Sequence, residues 1–134
     1  MTRDEAMSTS LRREIASCIM SVDGVTLSPS GLGDADAYWV NGKEIAHFDE
    51  STVIDLRLTR TAIRARRPEL KADPRVELRP STSDWLELRV RDRDDLQWLR
   101  SLVEVAAQAH RAPGGEVPKE PPVGAELERR RRFH

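Results

Sequence analysis

Residues 39–48 read Trp39-Val40-Asn41-Gly42-Lys43-Glu44-Ile45-Ala46-His47-Phe48, and residues 53–58 read Val53-Ile54-Asp55-Leu56-Arg57-Leu58. Together they spell three consecutive antiparallel strands. Asn41-Gly42 is a strong two-residue hairpin signal, because a type I′ turn needs positive φ at both central positions. Asp49-Glu50-Ser51-Thr52 forms the second, short and polar connection. These turns bring a histidine, a carboxylate and a guanidinium within a few residues of each other on adjacent strands.

The strand register decides what those groups can do. If Phe48 faces Val53, then His47 faces Ile54, Ala46 faces Asp55, Ile45 faces Leu56 and Glu44 faces Arg57. Ile45, His47, Ile54, Leu56 and Leu58 then share the buried side, and Glu44 pairs with Arg57 on the other. A slip of one residue instead sets His47 beside Asp55. The first register is preferred here because it gathers the apolar residues on one face.

Working outward, Leu11, Ile15, Cys18 and Ile19 form one apolar helical stripe, with Ser8, Thr9 or Ser10 as caps. Asp23-Gly24 ends that helix, and Val25-Thr26-Leu27 begins a strand. Pro29 to Asp36 is a turn-rich loop. Thr59 is suited to cap a second helix from Arg60 to about Arg67, with Pro68 kinking or following it. Val76–Arg79 is a short strand, and Trp85–Val90 alternates with Leu86, Leu88 and Val90 inward. A third helix from about Asp94 to Arg111 is capped by Asp92 or Asp94. Its buried stripe is Leu96, Leu99, Leu102, Val103, Ala106 and His110. The order predicts an α+β fold of two layers, an antiparallel sheet of about five or six strands with helices packed on one face. Residues 1–9 are expected to be a flexible N-terminus and residues 10–111 a single domain. Residues 112–134, rich in Pro and Gly and ending in Arg129–Arg132, are expected to form a disordered tail.

Composition narrows the function classes. The 134 residues are 34% charged and 38% apolar with a formal net charge of −1, which suits one domain and gives no general pull toward nucleic acid or membrane. Cys18 is the single cysteine, which excludes an internal disulfide or a cysteine metal cage and fits a reducing, cytoplasmic setting. No apolar run has the length of a membrane span, and the acidic N-terminus lacks the apolar core of a secretory signal. The sequence contains no Gly-rich phosphate loop, nucleophile elbow or His-x-x-x-His pair, so no metal or cofactor is expected.

The candidate site residues carry a plain reading beside the sharp one. His47 is either a half-buried histidine bonded to a backbone carbonyl or a general acid/base. Asp is depleted in strands, so Asp55 needs compensation, from a cross-strand cation or as a carboxylate that orients His47 or a substrate. Arg57 is either an ion-pair partner of Glu44 or an anion binder. Trp85, on the polar side with Glu87 and Arg89, either packs under the Pro80–Ser83 turn or the tail, or marks a contact surface that Trp39 extends. The Arg-rich tail is either a solvated end or a phosphate-binding segment.

The pieces Gly42-Lys43-Glu44-Ile45-Ala46-His47, Val53–Leu58 and Ser83-Asp84-Trp85-Leu86 resemble, in order and spacing, the luciferase-domain family. Its members include small bacterial proteins that share a domain with fungal luciferase. The resemblance runs from about Val25 to Arg111 and singles out Glu44, His47, Asp55, Trp85 and Arg57. The element order also resembles the YjbR-like double-wing fold. For the fungal enzyme the resemblance implies cofactor-independent oxidation of a polyphenolic pyrone by oxygen. Aromatic residues make up only 4% of this chain, a thin supply for an aromatic-lined cavity.

Three functions are carried forward. The first is binding of a small aromatic or anionic molecule, with His47 and Asp55 as acid/base groups and Glu44, Arg57 and Trp85 as ligand contacts. The second is a protein or homodimer interface on the Trp-bearing sheet face. The third is nucleic-acid binding by Arg60, Arg64, Arg66, Arg67 and the tail, against which the balanced charge argues.

Overall fold

The computed structural model describes residues 2–33 and 35–132. Met1, Asp34, Phe133 and His134, and with them the outermost ends of the expected flexible N-terminus and tail, lie outside the described residues. The elements run α1 (Arg3–Met20), β1 (Thr26–Pro29), β2 (Asp36–Val40), β3 (Lys43–Phe48), β4 (Val53–Arg57), α2 (Arg60–Ala65) and α3 (Arg67–Ala72). They continue with β5 (Val76–Leu78), β6 (Trp85–Arg89), a 3-10 turn (Arg93–Asp95), α4 (Leu96–His110) and α5 (Gly124–Arg132). The fold is α+β, with one antiparallel six-stranded sheet in the order β1-β2-β3-β4-β6-β5. Among the described residues no helix is long and apolar enough to cross a membrane.

Alternation builds the core. Along β4 and β6, Ile54 pairs with Leu88 and Leu56 with Leu86, and all four are fully buried. Ile15 and Ile19 of α1 and Leu99, Val103 and Ala106 of α4 complete that layer. Burying each such aliphatic side chain contributes about 1.5–3 kcal/mol. Asp95 fastens the start of α4. It is almost wholly buried, accepts from Arg75 and Arg91, and is held well below the usual carboxylate range by the Arg91 hydrogen bonds first and Arg75 second.

The two ends of the chain differ from expectation. Residues 3–9, expected to be flexible, already belong to α1. A capping box explains it: Thr2 Oγ1 accepts from the Glu5 amide at 3.2 Å, and the Glu5 carboxylate accepts from the Thr2 amide at 3.3 Å. The tail, expected to be disordered, carries α5, and its Leu127 is 6% exposed. Lys119 donates its amide to Asn41 Oδ1 at 2.7 Å, Arg130 donates to the Gly42 carbonyl at 3.1 Å, and Arg131 donates to the Ser30 carbonyl at 2.9 Å. The tail is therefore tied to the hairpin tip and to the loop after β1.

The preferred strand register is overturned. Phe48 faces Ile54, His47 faces Asp55 and Ala46 faces Leu56. The reason lies in the turn. Asp49 still pairs with Val53, its amide donating to the Val53 carbonyl at 2.9 Å, and Ser51 takes a left-handed φ of 46°. The loop is thus shorter by one residue than the four polar residues suggest, and every pairing beyond it shifts.

A candidate ligand site on the outer sheet face

With that register, His47, Asp55, Glu87 and Glu77 stand in one row across β3, β4, β6 and β5, on the face away from the helical core. Glu44 joins them through a β-bulge. Tyr38 faces Ala46, but the next residue, Trp39, faces Glu44, so Ile45 is an extra residue in β3. In a regular strand, residues three apart point to opposite faces. The bulge cancels that parity: Ile45 and Ala46 both enter the core, while Glu44 and His47 share the outer face. This also explains why the apolar-alternation argument, which grouped His47 with Ile45, chose the wrong face for the histidine.

The result is a continuous polar chain. His47 Nδ1 lies 2.9 Å from Glu44 Oε2, and His47 Nε2 lies 2.9 Å from Asp55 Oδ2. Arg79 Nη2 donates to Asp55 Oδ1 at 2.6 Å. At the other end the Glu44 carboxylate accepts from Ser30 Oγ at 2.9 Å and from the Gly31 amide at 2.7 Å. Glu44 and Asp55 are both buried, at 6% and 7% exposure, so each carboxylate needs these partners.

Burial is the largest single influence on His47 and acts to lower its pKa. Hydrogen bonds to Asp55 and Glu44, and their charges, together outweigh it and raise His47 to about 9. The ring is therefore an imidazolium at neutral pH, donating through both nitrogens. Asp55 is raised by burial but lowered further by His47 and Arg79, and ends below its ordinary value. Glu87 moves the other way, to about 7, through burial and through its acidic neighbours Glu77 and Asp49.

The remaining expected residues gather next to this chain. Trp85 covers His47, with ring centroids 5.2 Å apart and planes at 45°. Arg57 faces Trp85 across the strands. The expected Glu44–Arg57 ion pair is corrected: the bulge turns Glu44 to His47, and Arg57 instead lies 3.8 Å from Asp84. Arg57 Nε is buried and has no hydrogen-bond partner among the described residues. Trp39, opposite Glu44, is 2% exposed and donates its indole N–H to the Ser28 carbonyl.

A cleft of about 540 Å³ opens here, lined by Gly31, Leu32, Trp39, Lys43, Glu44, Arg57, Trp85 and Arg130. Its wall carries three cations, one carboxylate and two indoles. A smaller cavity of about 180 Å³ adjoins through Leu32 and reaches His47 and Phe48. Of the five residues picked from sequence, Glu44, Arg57 and Trp85 line the cleft, and His47 and Asp55 stand behind it.

Sequence reasoning missed Ser30, Gly31, Arg79 and Arg130. Ser30 and Gly31 sit in a loop whose turn residues announce no partner. Arg79 follows β5, and only the crossing of β5 to the far side of β6 brings it within reach of Asp55. For a metal, Asp49, Asp55 and Glu87 offer one oxygen each within 4.8 Å among the described residues. Both Asp55 oxygens are already engaged by His47 and Arg79, so this row is an electrostatic one in its present form.

Compared with known proteins, a family model described as the Luciferase domain matches residues 42–106. Neither the curated proteins nor the solved structures give a match.

Proposed function

We propose that this chain, which a Luciferase domain family model matches over residues 42–106, binds a small aromatic anion in the cleft beside His47. The observation that carries the reading is the wall itself. Trp85 offers apolar ring surface, the buried Trp39 touches the same cleft of about 540 Å³, and Lys43, Arg57 and Arg130 offer positive charge there. That volume lies in the range of small-molecule sites. Arg57 Nε, without a partner among the described residues, supports a ligand acceptor there, because a buried N–H without a partner costs about 1–3 kcal/mol.

His47 acts in this reading as a fixed charge and not as a proton abstractor. Both nitrogens are engaged and the imidazolium persists to a pH of about 9. It holds Glu44 in the cleft wall and packs its ring against Trp85. Asp55 and Arg79 hold His47 in turn. Any acid/base or oxygenase-type step would have to begin with a ligand displacing one of these bonds.

An interaction surface built on the two indoles is less well supported, since Trp39 is 2% exposed and Trp85 leans on His47. The test is a titration with a panel of aromatic carboxylates, phenolates and phosphates, read by tryptophan fluorescence. Wild type should bind at least one member, and Arg57→Gln should weaken that binding by about tenfold or more, the effect of losing a charged hydrogen bond. A panel with no binder, or an Arg57→Gln variant that binds like wild type, would sink the reading.

A further inference from the structure

We infer that the C-terminal segment completes this ligand site, with Arg130 supplying the charge that selects an anionic over a neutral aromatic ligand. The inference rests on the binding proposal and adds a residue from outside the stretch that matches the family model, residues 42–106.

Three observations bring Arg130 to the cleft. First, α5 is anchored by a buried apolar contact. A Cβ placed on Gly31 would meet Trp39 at 3.8 Å, Glu44 at 3.9 Å and Leu127 at 4.0 Å. Leu127 thus closes over the same spot, beside Gly31, where Trp39 and Glu44 meet. Second, an arginine of the same helix grips the loop beside that contact. Arg131 donates to the Ser30 carbonyl, while the Ser30 hydroxyl donates to Glu44. One residue therefore links α5 to the Glu44–His47–Asp55 chain. Third, Arg130 itself lines the cleft, held by the Gly42 carbonyl at 3.1 Å and by Glu126 at 3.2 Å. These bonds use only part of its guanidinium and leave N–H donors for a ligand.

The other cleft cations are placed differently. Arg57 is set into the sheet at the end of β4, and Lys43 begins β3 beside the hairpin tip. Arg130 comes from α5, outside the sheet. A carboxylate entering between Arg57 and Arg130 would be held from two sides, and a planar guanidinium favours such an acceptor over a neutral amide. The anchoring Leu127 keeps the Arg130 side chain over the cleft instead of in solvent.

The experiment compares binding of 2-naphthoate and its neutral isostere 2-naphthamide to the full-length chain. Wild type should prefer the acid. Arg130→Gln should weaken naphthoate binding by about tenfold and leave naphthamide unchanged, while Arg130→Lys should recover part of the preference. Arg129→Gln, on the exposed side of the same helix, should match wild type. An Arg130→Gln variant that keeps the full acid preference overturns the role given to α5 and leaves the binding proposal standing. Failure of wild type to prefer naphthoate, with Arg57→Gln equally indifferent, overturns the anionic-ligand reading itself and this inference with it.

Discussion

At the scale of single residues, the decisive group is His47, and its chemistry comes from register and not from residue type. A histidine between two buried carboxylates is a cation with a structural duty. Its folded-state pKa of about 9 lies above the ordinary value of 6.5. The stabilisation it gives is therefore complete below about pH 6.5 and disappears as pH rises through about 9. The loss amounts to about 3 kcal/mol at most. Urea denaturation of wild type at pH 6 and pH 9.5 should show this fall, and His47→Gln should flatten it. Equal pH dependence in the two proteins would mean that the two carboxylates do not bind an imidazolium. His47 and Asp55 were legible as site candidates, because Asp is rare inside a strand and His is scarce in this chain. Their direct contact was not legible. It depends on whether Ser51 adopts a left-handed backbone, which nothing in a Ser-Thr pair announces.

At the scale of elements, helices and strands followed from periodicity wherever one face was plainly apolar. Leu86, Leu88 and Val90 in β6 and Leu99, Leu102 and Val103 in α4 are all buried, as their spacing indicates. Irregular features escaped, since the bulge in β3 adds one residue without a compositional sign. Thr59, expected as the cap of α2, does accept from the Ala62 amide, but at a backbone of φ 82° and ψ 146°. That region suits glycine, and a β-branched residue there costs on the order of 1–3 kcal/mol. Replacing an N-cap hydroxyl by glycine costs only a few tenths of a kcal/mol. Thr59→Gly should thus stabilise the protein by about 1 kcal/mol, seen as a higher midpoint in urea. A lower midpoint would show that the Thr59 hydroxyl outweighs the strain. The location matters too, since the Thr59 amide donates to the carbonyl of Asp84, whose carboxylate lies beside Arg57.

At the scale of the whole molecule, the sheet and its two main helices form a unit within residues 3–111, and the remainder of the chain folds back over the outer face. Pro, Gly and a run of arginines disguise this return, because composition alone cannot show that Leu127 has a seat beside Trp39. A chain ending at residue 111 should keep its sheet by circular dichroism and unfold cooperatively. It should lose about 2–3 kcal/mol, the burial of Leu127 with its neighbours, and its tryptophan emission should shift to the red as Trp39 meets water. Unchanged emission would mean that α5 does not cover Trp39 in solution. The bulge in β3 carries a different kind of consequence, one for heredity. Between Gly42 and His47 the chain counts its residues, since their number decides whether the strand carries the bulge. A missense change there is graded, swapping one group for another in place. An in-frame loss of the Ile45 codon changes length instead: it would make the strand regular, and Glu44 and His47, then two residues apart, would still share the outer face, so the extra residue and the bulge come and go together.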